Sequence, residues 1–125
     1  MITTNFKIAA AQVAPVFLNK KKTTEKACSL IKEAAENGAK LIVFPESFIS
    51  GYPDWVWLIP NSKGADLNKL YIKLVENAVS VPDNSTDRLC KAAKEANINV
   101  VIGMHERNSE SSNSSISSND SVPRL

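Results

Sequence analysis

The sequence predicts an α/β fold, in which buried strands alternate with amphipathic helices. Short apolar runs at 6–12 (FKIAAAQ), 39–45 (AKLIVFP) and 98–103 (INVVIG) have the length and composition of strands. Between them, apolar residues recur at the three- and four-residue spacing of helices that bury one face. Alternation of this kind is typical of a largely parallel sheet covered by helices.

The first half of the chain predicts a strand, a helix and a second strand. Pro15 closes the first run, and a helix should follow from about Asn19 to Asn37. Asn19 suits the N-cap of this helix, and Gly38 suits a left-handed C-terminal cap. The apolar stripe of the helix consists of Ala27, Leu30, Ile31, Ala34 and Ala35. Because the run 39–45 is continuous rather than alternating, we expect both of its faces to be buried.

The second half predicts an aromatic-rich loop, two helices and a third strand. The loop contains DWVWLIP, and the next helix should run from about Asp66 to Val79, where Val81-Pro82 breaks it. Ser85 or Thr86 is the predicted cap of a third helix that ends near Ala96. The apolar faces of the two helices contain Leu67, Leu70, Tyr71, Leu74 and Ala78, and then Leu89, Ala92, Ala93 and Ala96. The complete order is β-α-β-α-α-β.

Composition excludes several classes of function. The net charge of +2 is too small to indicate a nucleic-acid partner, and no apolar run approaches the about 18 residues of a membrane span. The only basic run, 20–22, reads as a solvated helix start. Cys28 and Cys90 lie in no CxxC motif and no His/Cys cluster, so neither a disulfide framework nor a metal site is expected. A reducing, cytoplasmic location follows as the default.

The composition of the chain changes at Ser109. Residues 109–125, SESSNSSISSNDSVPRL, are mostly Ser, Asn and acid. Such a segment buries too little apolar surface to offset its ordering entropy, so we expect a disordered tail after a domain at residues 1–108.

One carboxylate stands where the second strand ends. Glu46 directly follows Pro45, and ligands in open α/β sheets bind at the carboxyl ends of strands. A carboxylate buried there would serve as a general base. The alternative is a loop carboxylate that caps the next turn.

The residues around Glu46 resemble a known family. FPESFISGYP (44–53) is similar to the stretch around the catalytic glutamate of the nitrilase superfamily, the carbon–nitrogen hydrolases. The segments KIAAAQVAPVFLNK, KACSLIKEAAENGAKLIVFPE, LCKAAKEANINVVIG and ERN resemble the same part of a nitrilase, so the resemblance covers about residues 6–108. The YPDWVW loop favours the nitrile-hydrolysing branch. The resemblance implies the N-terminal part of a four-layer α-β-β-α sandwich.

The resemblance also implies a catalytic glutamate, lysine and cysteine, with no metal or organic cofactor. Glu46 matches the glutamate, which takes the proton of the cysteine thiol and activates water. The lysine stabilises charge on the tetrahedral intermediate. The family's lysine and cysteine lie in stretches like RKLxP and CWEN, and neither stretch occurs in this sequence.

The lysines and cysteines that are present do not match those motifs. Cys28 and Cys90 lie beside apolar helix residues and read as partly buried hydrophobes, in which a thiol is inert. The lysines read as solvated surface residues; they include Lys63, Lys69, Lys73, Lys91 and Lys94.

A few further residues are candidates for the rim around Glu46. Tyr52 follows a Gly in the same turn and is a predicted substrate contact, with simple packing as the alternative. His105 and Glu106 follow the third strand and could face the same rim, and Glu106 with Arg107 matches a family-like pair. Trp55 and Trp57 could line the substrate entrance, form a subunit contact or pack in the core.

The family fold is only partly represented, so we expect exposed strand edges and uncovered apolar surface. By the resemblance, the expected substrate is a small nitrile or amide, and the expected partners are nitrilase subunits in a homo- or hetero-oligomer. The leading hypothesis is a truncated nitrilase-family chain that is inactive alone. The alternatives are one half of a two-chain enzyme and a non-catalytic partner of full-length nitrilase subunits.

Overall fold

The structure, a computed structural model, describes residues 4–108 and confirms the α/β class and the predicted order of strands and long helices. The predicted tail at 109–125 lies outside the described residues. The elements, in chain order, are β1 (Lys7–Ala10), α1 (Lys20–Glu36), β2 (Ala39–Val43), α2 (Trp55–Leu58), a 3-10 turn (Asn61–Lys63), α3 (Gly64–Glu76), α4 (Asn84–Ala96) and β3 (Asn99–Val101).

The described strands form one parallel sheet in the order β1-β2-β3, so β2 is its central strand. Ile8 is in register with Leu41, and Val43 with Val101. Side chains alternate between the two faces of a strand, so these residues share one face, and Ile42 lies on the other. Both neighbours of β2 run in the same direction, which brings the carboxyl ends of all three strands to one edge.

Helix α1 begins and ends where its sequence predicts. The Asn19 side chain accepts a hydrogen bond from the Lys22 amide at 2.9 Å, which satisfies one of the donors that a helix leaves unpaired in its first turn. At the other end, Gly38 has a φ of 86° and its amide donates to the Ala35 carbonyl. The left-handed conformation at Gly38 turns the chain directly into β2.

The core lies between the sheet and the helices α1 and α4. Ala27 and Ile31 of α1 are fully buried, and they cluster with Leu89 of α4 and with Ile42 of β2. The predicted stripe on α1 is thus the face that packs against the sheet. The apolar faces of α1 and α4 therefore cover the same side of the sheet.

The opposite face of the sheet is uncovered in residues 4–108. We call it the open sheet face; it consists of Ile8, Leu41, Val43 and Val101. Ile8 and Val101 are 53% and 54% exposed, and Leu41 and Val43 are half-buried. The expectation that both faces of β2 are buried is therefore wrong for this part of the chain, because helices pack on one side only. The expectation of uncovered apolar surface is confirmed.

The segment predicted as an aromatic loop contains the short helix α2 and a 3-10 turn. Trp55 is buried, whereas Trp57 is 79% exposed, so the two tryptophans differ in environment. Helix α3 follows and buries Leu74 and Val75. Core packing is thus confirmed for Trp55 and excluded for Trp57 within the described residues.

Helix α4 is capped by Asp83 rather than by Ser85 or Thr86. The Thr86 amide donates to Asp83 Oδ1 at 3.0 Å, and the Asp83 amide donates to Thr86 Oγ1 at 2.8 Å. This reciprocal arrangement is a capping box. Lys20 Nζ lies 3.3 Å from Asp83 Oδ2, so the expectation of a solvated Lys20 is wrong, although Lys21 and Lys22 are exposed.

Asp83 should make the free energy of unfolding of the chain depend on pH. Burial raises the pKa of the Asp83 carboxyl, but the amides of Thr86 and Ser80 and the Lys20 ammonium outweigh that effect and hold the pKa below its usual range. Replacing Asp83 by alanine should therefore lower the free energy of unfolding by about 1 kcal/mol at pH 7. A depressed carboxyl pKa stabilises the fold above the unfolded value and loses its effect as the pH falls through the folded value. The difference from wild type should shrink below about pH 4.

Urea unfolding at pH 7 and pH 3 measures this effect. Asp83→Asn is the matched control, because an asparagine side chain still accepts the Thr86 amide but does not titrate. A difference between wild type and Asp83→Ala that is equal at both pH values would contradict the role of the charge.

None of the helices in the described stretch 4–108 is long and apolar enough to cross a membrane.

Candidate functional site

Glu46 lies just beyond the carboxyl end of the central strand. After β2, the Phe44 amide donates to the Val101 carbonyl at 2.9 Å, which is the last ladder bond on this side. Pro45 has no amide hydrogen and cannot continue the ladder. The chain then turns at residues 46–48, with Ser47 at a φ of 50°. Glu46 is thus placed by the end of a strand and a tight turn, at the edge of the sheet where ligands bind in folds of this type.

Glu46 and the apolar residues that follow it differ in their exposure to solvent. Phe48, Ile49 and Ser50 are at most 1% exposed, whereas Glu46 is exposed. The Phe48 ring packs against the Phe44 ring with centroids 5.1 Å apart. Within residues 4–108 the apolar side chains of this segment are buried, and the Glu46 carboxylate is left at the surface. The carboxylate faces solvent and is accessible to a small molecule.

Two buried polar contacts fix the far end of the turn. Ser50 Oγ donates to the Asn77 carbonyl, which belongs to the residue that ends α3. The Leu18 amide donates to the Ser50 carbonyl at 2.9 Å. These bonds tie the turn to the start of α1 and the end of α3. Because buried polar groups are costly when unpaired, breaking either bond would destabilise the turn.

Gly51 occupies a position that only glycine suits. Its φ is 118°, and a Cβ built on it would lie 2.7 Å from the Phe17 ring. A side chain here would meet both a backbone penalty and a collision. Gly51 therefore sets the direction in which the chain leaves the turn toward Tyr52.

The segment after β3 runs beside residues 46–51, which we call the Glu46 turn. Ile49 forms a parallel bridge with Met104, and the His105 amide donates to the Ile49 carbonyl at 2.6 Å. The His105 ring nitrogen Nε2 lies 3.1 Å from the Gly51 carbonyl oxygen. Because a carbonyl oxygen only accepts hydrogen bonds, Nε2 carries the proton. The prediction that His105 faces the Glu46 rim is consistent with this contact.

The other predicted rim residues differ in placement. Tyr52 is 51% exposed and follows directly after Gly51. Glu106 is exposed and forms a bridge with Val79. The family-like Glu106–Arg107 pair therefore lies beside the chain that follows α3, and not beside the Glu46 turn. The Arg107 amide donates to the Val79 carbonyl at 2.7 Å.

The cysteines do not form a nucleophilic centre. Cys28 is half-buried on α1, and burial raises the pKa of its thiol, with a smaller lowering by Arg88 and a further rise from Glu25. A thiol with a raised pKa holds little thiolate at neutral pH. Cys90 is exposed, so the expectation that it is partly buried is wrong. The lysines predicted to be surface residues are exposed; they are Lys63, Lys69, Lys73, Lys91 and Lys94. Among residues 4–108, no group of three His, Cys, Asp or Glu side chains could hold a metal ion.

Gly103 is the residue of the site that sequence reasoning missed. A Cβ built on Gly103 would lie 2.6 Å from the Ser47 amide nitrogen and 2.9 Å from the Pro45 carbonyl oxygen. These are backbone atoms on either side of Glu46, so the two segments touch without room for a side chain. A glycine as the last residue of the predicted strand 98–103 was the available signal, but it indicates equally well that the strand ends there.

Comparison with known proteins identifies the family of this chain. The sequence pattern described as carbon-nitrogen hydrolase matches residues 7–122. The chain therefore belongs to the carbon–nitrogen hydrolase family, and the sequence-based recognition of that family is confirmed.

Its relatives include several nitrilases. An arylacetonitrilase from Aspergillus oryzae (strain ATCC 42149 / RIB 40) is 40% identical over 100 residues, which is 80% of this chain and 28% of that protein. An aliphatic nitrilase from Rhodococcus rhodochrous is 42% identical over 105 residues, 84% of this chain and 28% of that protein. A nitrilase from Bacillus sp. (strain OxB-1) is 45% identical over 87 residues, 70% of this chain and 25% of that protein. The chain thus spans less than a third of the length of each relative.

Proposed function

We propose that the chain is part of a nitrilase, an enzyme that hydrolyses a nitrile to a carboxylic acid and ammonia, and that Glu46 is its general base. The observation that carries the proposal is the placement of Glu46. It is an exposed carboxylate at the carboxyl end of the central parallel strand, in a chain that matches the carbon–nitrogen hydrolase pattern. The names of the relatives support a nitrile as the class of substrate.

In the proposed reaction Glu46 accepts a proton and passes it on at each stage. It first takes the proton of a cysteine thiol while the sulfur adds to the nitrile carbon, and it gives this proton to the nitrile nitrogen, which forms a thioimidate. It then takes a proton from the water that adds to this carbon and gives it to the same nitrogen. The remaining hydroxyl proton of that water moves to the nitrogen as ammonia leaves and a thioester forms. A second water then releases the acid and returns a proton to the cysteine sulfur. A lysine ammonium stabilises the charge that develops on the tetrahedral intermediates.

The lysine and cysteine of this scheme belong to RKLxP-like and CWEN-like stretches, which the 125 residues lack. We therefore expect no nitrile hydrolysis by these residues alone. Tyr52 is the proposed substrate contact, because it is half-exposed and leaves the Glu46 turn directly after Gly51. A cytoplasmic location is proposed because Cys28 and Cys90 are both free thiols, a state that a reducing compartment maintains.

A chimera tests the role of Glu46. The 105-residue matching stretch of the Rhodococcus rhodochrous aliphatic nitrilase is replaced by the corresponding part of this chain. Ammonia release from an aliphatic nitrile is then measured for the isolated chain, the chimera and the chimera with Glu46→Gln. We expect no release from the isolated chain and release from the chimera. The glutamine variant should be slower by about 100-fold or more, because the amide cannot accept the protons.

Glu36→Gln in the same chimera is the matched control. Glu36 is an exposed carboxylate on α1 whose only described ion pair, with Lys32, is weak and solvent-exposed. It should leave the rate unchanged. A chimera that keeps its rate with Glu46→Gln would remove Glu46 from the mechanism.

The open sheet face supports a second candidate function, a non-catalytic partner that docks on full-length nitrilase subunits. Uncovered apolar faces of this kind commonly mark association surfaces. A pull-down with the purified Rhodococcus rhodochrous enzyme tests it, with Val101→Asp as the variant that should lose binding. The absence of association by the unaltered chain would count against this function.

A further inference from the structure

The Glu46 turn lies against a short segment that follows β3, Gly103 to His105. This segment meets the turn at both of its ends. Gly103 touches the main chain on either side of Glu46, and His105 touches Ile49 and Gly51. The turn therefore takes its position from a neighbouring part of the sheet as well as from its own sequence.

Gly103 determines how closely the Glu46 peptide approaches the sheet. A Cβ on Gly103 would lie 2.6 Å from the Ser47 amide nitrogen and 3.0 Å from the Glu46 carbonyl carbon. Both are main-chain atoms, so no side-chain rotation would relieve the contact. A side chain at Gly103 would have to push the Glu46 peptide away from the sheet.

His105 holds the other end of the turn through two bonds. Its amide donates to the Ile49 carbonyl at 2.6 Å, and its ring Nε2 donates to the Gly51 carbonyl at 3.1 Å. Only the second bond depends on the side chain. Ser47 sits in the left-handed region at a φ of 50°, which is unfavourable for a residue with a Cβ and persists only where its surroundings hold it.

We propose that Gly103 and His105 are positioning residues, which together set the location of the Glu46 carboxylate relative to the reacting atoms. This inference rests on the proposed role of Glu46 as general base. A base displaced by about 1 Å loses roughly 100-fold in rate, because proton transfer requires hydrogen-bond distance to the reacting group. The two residues thus act on the chemistry through Glu46 and do not touch the substrate.

Gly103→Ala tests the close approach, and Gly64→Ala is its matched control, since a Cβ on Gly64 meets nothing within 4 Å. In the chimera described above, Gly103→Ala should lower kcat by roughly 100-fold and leave KM unchanged, whereas Gly64→Ala should change neither. A kcat equal to that of the unaltered chimera would overturn the proposal for Gly103. So would a loss of rate that only follows a loss of folded protein.

The His105 side chain is tested by a pair of variants that does not depend on Gly103. His105→Ala removes the donor to Gly51, and His105→Gln places an amide nitrogen at a similar distance from the backbone. Alanine should lower kcat and glutamine should restore most of it. Equal rates for the two variants, whether both high or both low, would overturn the positioning role of the ring nitrogen.

A spectroscopic measurement separates this proposal from that of the general base. In the full 125-residue chain labelled with ¹⁵N, Gly103→Ala should shift the backbone amide signals of Glu46 and Ser47, while Gly64→Ala leaves them in place. Unshifted signals would overturn the positioning by Gly103, whatever the chimera does. Shifted signals together with a chimera that is indifferent to Glu46→Gln would retain the contact and reject the proposed chemistry.

Discussion

Replacing Phe48 by alanine is expected to lower the free energy of unfolding of the chain by about 3–5 kcal/mol. The Phe48 side chain is 1% exposed, it belongs to the core cluster, and its ring contacts that of Phe44. Alanine would remove the whole ring and leave a cavity that the main chain of a tight turn closes only in part. A loss of this size is a large share of the about 5–15 kcal/mol that holds a small domain together.

Phe6→Ala is the control for the Phe48 variant. Phe6 is 63% exposed, so the same chemical change should alter the stability by less than about 0.5 kcal/mol. Urea unfolding followed by circular dichroism measures both variants. Similar losses for the two would show that Phe48 is not part of the core.

Replacing Ile42 by aspartate is expected to unfold the chain. Ile42 is 2% exposed on the central strand, beneath α1 and α4, where no described cation lies in the apolar cluster. An unpaired carboxylate in such surroundings costs several kcal/mol, either as a buried charge or as a group protonated at neutral pH. The far-ultraviolet circular dichroism signal of the helices should therefore be lost at pH 7.

Val101→Asp tests the same sheet from its other side. Val101 is 54% exposed on the open sheet face, so its aspartate remains hydrated and the helical signal should persist. Unfolding by Val101→Asp would indicate that this face is covered after all. The pair of variants thus measures directly which side of the sheet the helices cover.

The regular elements could be predicted from the sequence because their signals are local. The spacing of apolar residues and the residues Asn19 and Gly38 define α1 within one turn of chain. The cap of α4 was harder, since Asp83, Ser85 and Thr86 all suit that position. The structure selects Asp83, because its carboxylate also accepts from the Ser80 amide and meets Lys20, and the Lys20 contact depends on how α1 and α4 meet.

The covering of the sheet could not be predicted in the same way. The continuous run Leu41 to Val43 fits a strand buried on both faces, but burial depends on what packs there. Within residues 4–108 the long helices α1 and α4 pack on one side only. Helix α2 was likewise missed, because four residues are too few for a helical period to be seen.

The sequence predicts the candidate carboxylate, Glu46, but not the residues that surround it. Glu46 is recognisable from FPESFISGYP and from its place after a strand. The only signal for Gly103 is a glycine at the end of an apolar run, which does not reveal its role, because that role depends on the backbone of another segment lying against it. The exposure of Glu46 also could not be predicted, since it follows from Phe48 and Ile49 both turning inward.

The contacts between the Glu46 turn and the segment after β3 join parts of the chain that are far apart in sequence, and 54 positions separate Gly51 from His105. Closing so long a loop costs conformational entropy before its contacts form, whereas α1 forms from near neighbours. We therefore expect these contacts to form after α1 during folding. It follows that LIVFPESFISGYP does not fix the placement of Glu46 by its own sequence alone. In another protein that lacks residues equivalent to Gly103 and His105, the same peptide would contain the carboxylate without the contacts that join this segment to the sheet.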